Sequence, residues 1–253
     1  MTSPEPRSKV ALITGGRRVG SDLARTLGAA GWRVAMTYRS SREAIEKAVA
    51  DVQAAGSEGL AVAADLVDPA QAEAAVSATV ARFGRIDALV NMASVYKRTP
   101  FADLTPADFD AMVAANLAAP YHAAIAAAKT MTAQPAIDGI KGKIVFVGDW
   151  ATERPYKDYL PYLAAKGGMT TLATALAVEL APFIPVATVQ PAMIEPPPDF
   201  SEDDKRAVLD ATPLRRFGSP EDVNRLIAYL LDGTNFVTGV AYRVDGGRFL
   251  ADG

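Results

Sequence analysis

The chain of 253 residues contains no cysteine, one histidine and two tryptophans. The lack of cysteine excludes disulfides, thiolate metal ligands and a cysteine nucleophile. His122 lies in an alanine-rich stretch, where a structural role is expected, and one histidine cannot build a histidine-rich metal site. The sequence therefore predicts no metal centre.

Long runs of one residue class are also lacking. Lysine and arginine form no long basic run and the formal net charge is -3, which argues against a nucleic-acid-binding protein. No apolar stretch is expected to approach the length needed to cross a bilayer, and the proline-rich polar start has no apolar signal-peptide core. We therefore expect a cytoplasmic protein without a membrane partner, with a flexible tail at residues 1–8.

Strand and helix patterns alternate along the rest of the chain, and no linker divides it. Short apolar runs predict seven strands, at residues 9–14, 33–38, 60–64, 86–92, 143–147, 185–190 and 241–244. Helical spacing predicts the helices between them, at residues 19–30, 41–55, 106–131, 159–180 and 220–231, and one that begins at Pro69. This βαβα repetition predicts one α/β domain over residues 9–253, a Rossmann fold whose doubly wound parallel seven-stranded sheet has helices on both faces.

The segment 193–216 is the one long connection without a predicted element. It holds three consecutive prolines at 196–198 and an acidic run at 202–204, and proline disfavours regular structure. Because the segment follows the carboxyl end of a predicted strand, and long connections are often functional, we interpret it as an irregular loop over a substrate. A solvated surface loop is the alternative.

The turn Thr-Gly-Gly-Arg-Arg-Val-Gly joins the first predicted strand to the first predicted helix. Glycines in such a turn let the backbone approach a pyrophosphate, whose charge lies at the helix N-terminus. The second predicted strand ends without the acidic residue that binds a ribose 2′-hydroxyl, and arginine can pair with a 2′-phosphate. We therefore predict NADPH/NADP as cofactor, bound by Gly15, Arg17, Arg18, Val19 and Gly20 in the turn and by Tyr38, Arg39 and Ser40 after the second strand.

Tyr162 and Lys166 are four residues apart in a predicted helix, which puts a phenol and an ammonium on one face. A phenol titrates at about pH 10, and a nearby ammonium lowers its pKa by favouring the phenolate. That pairing suits proton transfer. Asp149 lies thirteen residues before the tyrosine, after the fifth predicted strand.

These motifs resemble the short-chain dehydrogenase/reductase family over nearly the whole chain. The resemblance implies that Tyr162 gives a proton to the substrate as hydride leaves the nicotinamide. It also implies that Lys166 binds the nicotinamide ribose and that Asn116 supports a water and this lysine. A homotetramer is implied as well. The further cofactor contacts that the resemblance implies are Asp65, Leu66, Asn91, Ala93, Tyr162, Pro191, Met193 and Ile194.

The family's usual residue at position 149 is serine, whereas this chain has aspartate. Aspartate with this tyrosine and lysine resembles the pteridine reductases and the dihydromonapterin or dihydrofolate reductases of the short-chain type. That resemblance implies a substrate site made of Ser94, Tyr96, Asp149 and Tyr162, with Tyr96 stacking on a pterin. The predicted function is NADPH-dependent reduction of a C=N bond in a pterin or dihydrofolate.

Two alternative functions stay open. One is a carbonyl or 3-oxoacyl thioester reductase of the same family, against which the missing serine hydroxyl counts. The other is a non-catalytic NADP-binding regulator with the same fold, against which the intact Tyr162 and Lys166 count. For Tyr96, an ordinary packing role is the alternative to stacking.

Overall fold

The sheet has the predicted architecture. The computed structural model describes residues 8–196 and 200–251, so the predicted tail, apart from Ser8, and two of the three prolines lie outside the described residues. All strand pairs are parallel, in the order β3-β2-β1-β4-β5-β6-β7. The seven strands are β1 Val10–Thr14, β2 Arg33–Tyr38, β3 Gly59–Ala63, β4 Ala88–Asn91, β5 Lys143–Val147, β6 Val186–Pro191 and β7 Val240–Val244. The order reverses between β1 and β4, which is where such sheets form a crevice.

Helices cover both faces of this sheet. They are α1 Val19–Ala29, α2 Arg42–Ala54, α3 Pro69–Phe83, α4 Pro106–Val113, α5 Ala119–Ala133, α6 Leu160–Glu179, α7 Glu202–Asp210 and α8 Pro220–Ala228. Successive strand residues supply two separate cores, because their side chains point to opposite faces. Leu12, Leu89 and Ile144 pack with α3, α5 and α6, whereas the next residue of each strand packs with α1, α2 and α8.

The predicted helix 106–131 differs from the observed structure in its middle. A π-helical turn at Ala114–Ala118 separates α4 from α5. It ends two residues before Pro120, which lacks the N–H that a continuous helix needs. The combined helical run Pro106–Ala133 is long and apolar enough to cross a membrane by length and composition. The expectation that no stretch reaches that length is therefore wrong. Half of the apolar window is buried within the domain, as in a core helix.

Helix α7 contradicts the expected irregularity of the segment 193–216. Ser201 caps the helix by accepting from the Asp204 N–H at 3.1 Å, and the Asp204 carboxylate accepts from the Ser201 N–H at 2.9 Å. The acidic residues of the first turn also suit the positive end of the helix dipole. The acidic run is therefore a helix start, signalled in the sequence by the Ser-x-x-Asp spacing.

Thr14, at the end of β1, ties together the two loops next to the switch point. Its buried hydroxyl accepts hydrogen bonds from the backbone N–H groups of Met92 at 3.0 Å and Ala93 at 3.2 Å. These residues directly follow β4, so one side chain sets the distance between the glycine turn and the loop after β4.

Replacing Thr14 with valine keeps the side-chain shape but removes the acceptor for two backbone N–H groups. We expect the free energy of unfolding to fall by about 2 kcal/mol, because a buried donor without a partner costs roughly 1–3 kcal/mol. Urea unfolding followed by circular dichroism measures this change. Thr79→Val is the matched control, since Thr79 is also buried but its hydroxyl only donates to the Ala75 carbonyl within α3. An equal loss in both variants would contradict the proposed role of Thr14.

Candidate active site

A cleft of about 1680 Å³ lies at the carboxyl edge of the sheet. The glycine turn borders one side, and the end of β5, helix α6, the segment after β6 and the residues after β7 border the rest. It brings together eleven of the residues predicted from the sequence: Arg17, Arg18, Val19, Ser94, Tyr96, Asp149, Tyr162, Lys166, Pro191, Met193 and Ile194. The other predicted residues lie outside its lining: Gly15, Gly20, Tyr38, Arg39, Ser40, Asp65, Leu66, Asn91, Ala93 and Asn116.

The glycine turn presents bare backbone at the start of α1. Gly15 and Gly16 have φ angles of 59° and 80°, a conformation that favours glycine. A Cβ atom on Gly16 would lie 2.7 Å from the Met92 Sδ and 2.9 Å from the Gly20 Cα, so no side chain fits there. A turn without side chains at a helix N-terminus leaves backbone N–H groups accessible to a pyrophosphate.

Three arginines surround this end of the sheet. Arg17 and Arg18 are exposed beside the glycine turn, and Arg18 forms an ion pair with Glu195 after β6. Arg39 follows β2 between Tyr38 and Ser40, and its guanidinium lies 3.8 Å from the Asp65 carboxylate after β3. Both ion pairs are exposed and therefore weak, so the guanidinium groups remain able to bind a phosphate.

Asn91, at the end of β4, carries an unsatisfied amide. It is buried, and neither polar atom of its side chain has a hydrogen-bond partner among the described residues. Buried amides are normally satisfied by protein, water or ligand. With the glycine turn and the arginines, this free amide fits a nicotinamide dinucleotide cofactor. Leu66 is buried, and its carbonyl lies 3.2 Å from the His122 Nδ1, which agrees with a structural role for the histidine.

Asp149, Tyr162 and Lys166 form the polar centre of the cleft. The Tyr162 hydroxyl donates to the Asp149 Oδ2 at 2.8 Å. The other Asp149 oxygen accepts from the Ala151 N–H at 2.9 Å, which caps a short turn after β5. Helix α6 puts Lys166 one turn beyond the tyrosine, and its ammonium donates to the Val147 carbonyl at 2.8 Å. Tyr162 and Lys166 are therefore both hydrogen-bonded to residues at or just after the end of β5.

Burial governs the protonation of this centre. Burial raises the pKa of Asp149, although the Ala151 N–H and Tyr162 favour the ionised form. Burial and then the Asp149 charge raise the pKa of Tyr162 well above its ordinary value. The predicted lowering of the Tyr162 pKa by Lys166 is therefore wrong for this structure, in which the Lys166 Nζ lies 6.0 Å from the centre of the tyrosine ring. Tyr162 is held as a neutral phenol, the form that can donate a proton.

Asn116 supports the loop after β4 directly. It is fully buried in the π-helical turn, and its Oδ1 accepts from the Ser94 hydroxyl at 2.7 Å and from the Val95 N–H at 3.0 Å. Its Nδ2 donates to the Val95 carbonyl at 3.0 Å. These bonds position Ser94 and Tyr96 at the cleft, and the implied support of Lys166 by Asn116 stays a prediction.

Four tyrosines line the side of the cleft next to Asp149. The Tyr96 ring stacks on Tyr159 at 4.4 Å and meets Tyr162 edge-on at 4.9 Å. The Tyr96 and Tyr156 hydroxyls are 3.1 Å apart. One face of Tyr96 is thus covered by Tyr159, and a pterin stacked there would have to displace this ring. No sequence pattern predicts a role for Tyr156 or Tyr159, since neither has a lysine four residues on.

The C-terminal segment is the part of the cleft that sequence analysis missed. Arg248 and Ala251 line the cleft together with Trp150 and Arg154. The available signal was the pair Gly246-Gly247, whose positive φ angles of 61° and 84° turn the chain back after β7.

The buried ammonium of Lys166 predicts a pH dependence of stability. Burial lowers the pKa of Lys166 from 10.5 to about 8. Below that pH both states are protonated and the folded state bears the full desolvation cost. Between the folded and unfolded pKa values of Lys166, the unfolded chain binds a proton that the folded protein has lost, so the free energy of unfolding rises with pH.

We expect Lys166→Met to remove a rise on the order of 2 kcal/mol between about pH 7 and about pH 9.5. Urea unfolding at a series of pH values measures the difference from the wild type. Lys47→Met, on the exposed face of α2, is the control and should leave the pH profile unchanged. An unchanged profile in Lys166→Met would sink the idea that this ammonium is buried at a cost.

Comparisons with known proteins agree with this geometry. A family profile described as Enoyl-(Acyl carrier protein) reductase matches residues 16–248. A 3-oxoacyl-[acyl-carrier-protein] reductase from Synechocystis sp. is 31% identical over 248 residues, which cover 96% of this chain and 98% of the relative. Versicolorin reductase 1 from Aspergillus parasiticus is 31% identical over 95% of this chain and 96% of its own.

Solved structures have the same fold at similar identity. Acetoin dehydrogenase from Enterobacter cloacae superposes with a TM-score of 0.87 at 30% identity, covering 97% of each chain. A mutant of a Serratia marcescens short-chain dehydrogenase/reductase also gives a TM-score of 0.87, at 31% identity over 97% of this chain and 100% of the other. The protein is therefore an oxidoreductase of the short-chain dehydrogenase/reductase family.

Proposed function

We propose that the protein is an NADPH-dependent reductase that transfers hydride to a C=N bond of a pterin or dihydrofolate. The main support is the 2.8 Å hydrogen bond between Tyr162 and Asp149. Asp149 occupies the position where the family usually has serine. A carboxyl group can bind the ring N–H and amino groups of a nitrogen heterocycle, which a hydroxyl does less well.

Tyr162, Asp149 and Lys166 each have a separate role in the proposed reaction. A bound nicotinamide cofactor supplies the hydride. Tyr162, kept neutral by burial and by Asp149, donates its proton to the ring nitrogen next to the reduced carbon. Asp149 orients the heterocycle and, when protonated, returns a proton to the tyrosine. Lys166, one helical turn beyond Tyr162, would hold the nicotinamide ribose.

A carbonyl or 3-oxoacyl thioester reductase is the second candidate. The names of the relatives favour it over pterin reduction, since they include a 3-oxoacyl-[acyl-carrier-protein] reductase and versicolorin reductase 1. Against it, an ionised Asp149 repels the lone pairs of a ketone oxygen that a serine hydroxyl would bind. A non-catalytic NADP-binding regulator is supported less, because it has no use for a buried proton donor.

We further propose that residues 193–196 and 200–216 cover the substrate. Residues from both described parts of it line the cleft, among them Ile194, Phe200, Val208 and Leu214. Apolar side chains over the cleft would exclude water from hydride transfer. The homotetramer and the cytoplasmic location stay predictions.

Arg39 is proposed to read the 2′-phosphate of NADPH. We expect Arg39→Ala to weaken NADPH binding about tenfold to 100-fold and to leave NADH binding unchanged, because only the first cofactor offers a phosphate to the guanidinium. Fluorescence titration of both reduced cofactors measures the ratio. Arg42→Ala, an exposed arginine three residues further along the chain that pairs with Glu46, is the control. Equal weakening of both cofactors would contradict the assignment.

The variant Asp149→Ser distinguishes a pterin or dihydrofolate substrate from a carbonyl or thioester substrate. NADPH oxidation is measured with dihydrobiopterin, dihydrofolate and an acetoacetyl thioester. We expect the wild type to reduce a pterin substrate, and Asp149→Ser to lose this activity by roughly 10²–10⁴-fold. Tyr162→Phe should lose activity on every substrate, whereas Tyr156→Phe should keep most of it. Thioester reduction by the wild type, raised by the serine variant and without pterin turnover, supports the second candidate instead.

A further inference from the structure

Arg248 presents an unused hydrogen-bond donor at the cleft. It begins a one-turn helix, Arg248–Leu250, after the Gly246-Gly247 turn, and it lines the cleft beside Arg154. Its Nη1 is buried and has no hydrogen-bond partner within the part of the chain that the structure describes. Buried guanidinium N–H groups are normally satisfied by protein, water or ligand, so this unpaired donor in a cleft is available to an acceptor that a ligand brings.

The segment that carries Arg248 is firmly anchored. Arg154 donates to the carbonyls of Phe249 at 2.8 Å and Arg248 at 3.4 Å, and it also contacts the Ala251 carbonyl. The Asp245 carboxylate accepts two backbone N–H groups of the same segment, at 3.0 and 2.9 Å. The unpaired donor therefore belongs to an ordered part of the fold.

Arg154 and Arg248 bring two positive charges to this part of the cleft. Neither Arg154 nor Arg248 forms an ion pair within residues 8–196 and 200–251, whereas the neighbouring Arg243 pairs with Glu153 at 3.4 Å. Burial, and then the charge of Arg154, lower the pKa of Arg248. Two adjacent guanidinium groups, one with a free buried donor, favour a carboxylate, whose two oxygens match the guanidinium fork.

The position of Arg248 assigns this anion to the substrate. The glycine turn follows β1 and Arg248 follows β7, four strands away, which is roughly 19 Å at about 4.8 Å per strand. The Arg248 guanidinium lies 5.8 Å from the centre of the Trp150 ring, and Trp150 directly follows Asp149. Arg248 is thus at the reacting end of the cleft and away from the phosphate-binding turn.

We propose that Arg248, with Arg154 beside it, binds a carboxylate of the substrate, so that the enzyme acts on an acid. Resting on the proposed reduction of a pterin or dihydrofolate, this favours dihydrofolate, whose glutamate carries carboxylates, over a free dihydropterin. Arg248 is then a residue that determines specificity, without a part in proton transfer.

Binding of p-aminobenzoylglutamate, the carboxylate-bearing part of folate, tests the site without any reduction. Calorimetric titration of the NADP-bound protein should show binding that Arg248→Gln weakens about tenfold to 100-fold. Arg248→Lys, which keeps the charge but lacks the fork, should weaken it less. Arg225→Gln, exposed on α8 and paired with Glu221, is the control and should bind as the wild type does. Equal affinity of the wild type and Arg248→Gln overturns the proposal.

Kinetics give a second and separate readout. Arg248→Gln should lower kcat/KM for dihydrofolate at least tenfold, mainly through KM, and leave kcat/KM for dihydrobiopterin unchanged. An equal loss on both substrates by a folded variant contradicts a carboxylate site. If no pterin is reduced while p-aminobenzoylglutamate binding still depends on Arg248, the proposed pterin function fails and the carboxylate site stands.

Discussion

Parallel pairing of the strands is the constraint on which the rest of this protein depends. Because all seven strands run the same way, every strand ends at one edge of the sheet, and the loops that follow them must converge there. Most residues of β1, β2, β4, β5 and β6 are apolar and buried. The polar side chains that shape the cleft therefore lie at or just after strand ends, at Thr14, Asn91 and Asp149. The cofactor end and the substrate end of the cleft therefore both lie along the carboxyl edge of the sheet.

Desolvation decides how the reacting centre works. A tyrosine and a lysine one helical turn apart would, in water, pull each other towards phenolate and ammonium. In this cleft both are buried, Tyr162 is bonded to Asp149, and Lys166 is directed to the Val147 carbonyl. The carboxylate and the low dielectric then outweigh the distant ammonium. The result is a neutral Tyr162 phenol beside the Asp149 carboxyl group, which suits proton donation during reduction.

Backbone contacts keep the cleft residues in place. Asn116 holds the loop of Ser94 through three hydrogen bonds, and Arg154 holds the C-terminal segment through its carbonyls. Asn116 acts by positioning residues that line the cleft, whereas Arg154 both positions Arg248 and lines the cleft itself. Such support is what lets a site hold reacting groups in a fixed geometry. It also leaves Arg248 with an oriented donor at the substrate end.

The sequence by itself determined the strand pattern, the parallel sheet, the glycine turn and the spacing of Tyr162 and Lys166. Each of these is encoded by near neighbours, through a period of two or of 3.6 residues or through glycine at a turn. Helix α7 was also encoded locally, by its Ser-x-x-Asp start, but the preceding prolines obscured it. Only the tertiary structure decided the protonation of Tyr162, the partners of Asn116 and the place of Arg248 in the cleft. These depend on groups that are far apart in the chain and on how much water remains between them, which no local pattern records.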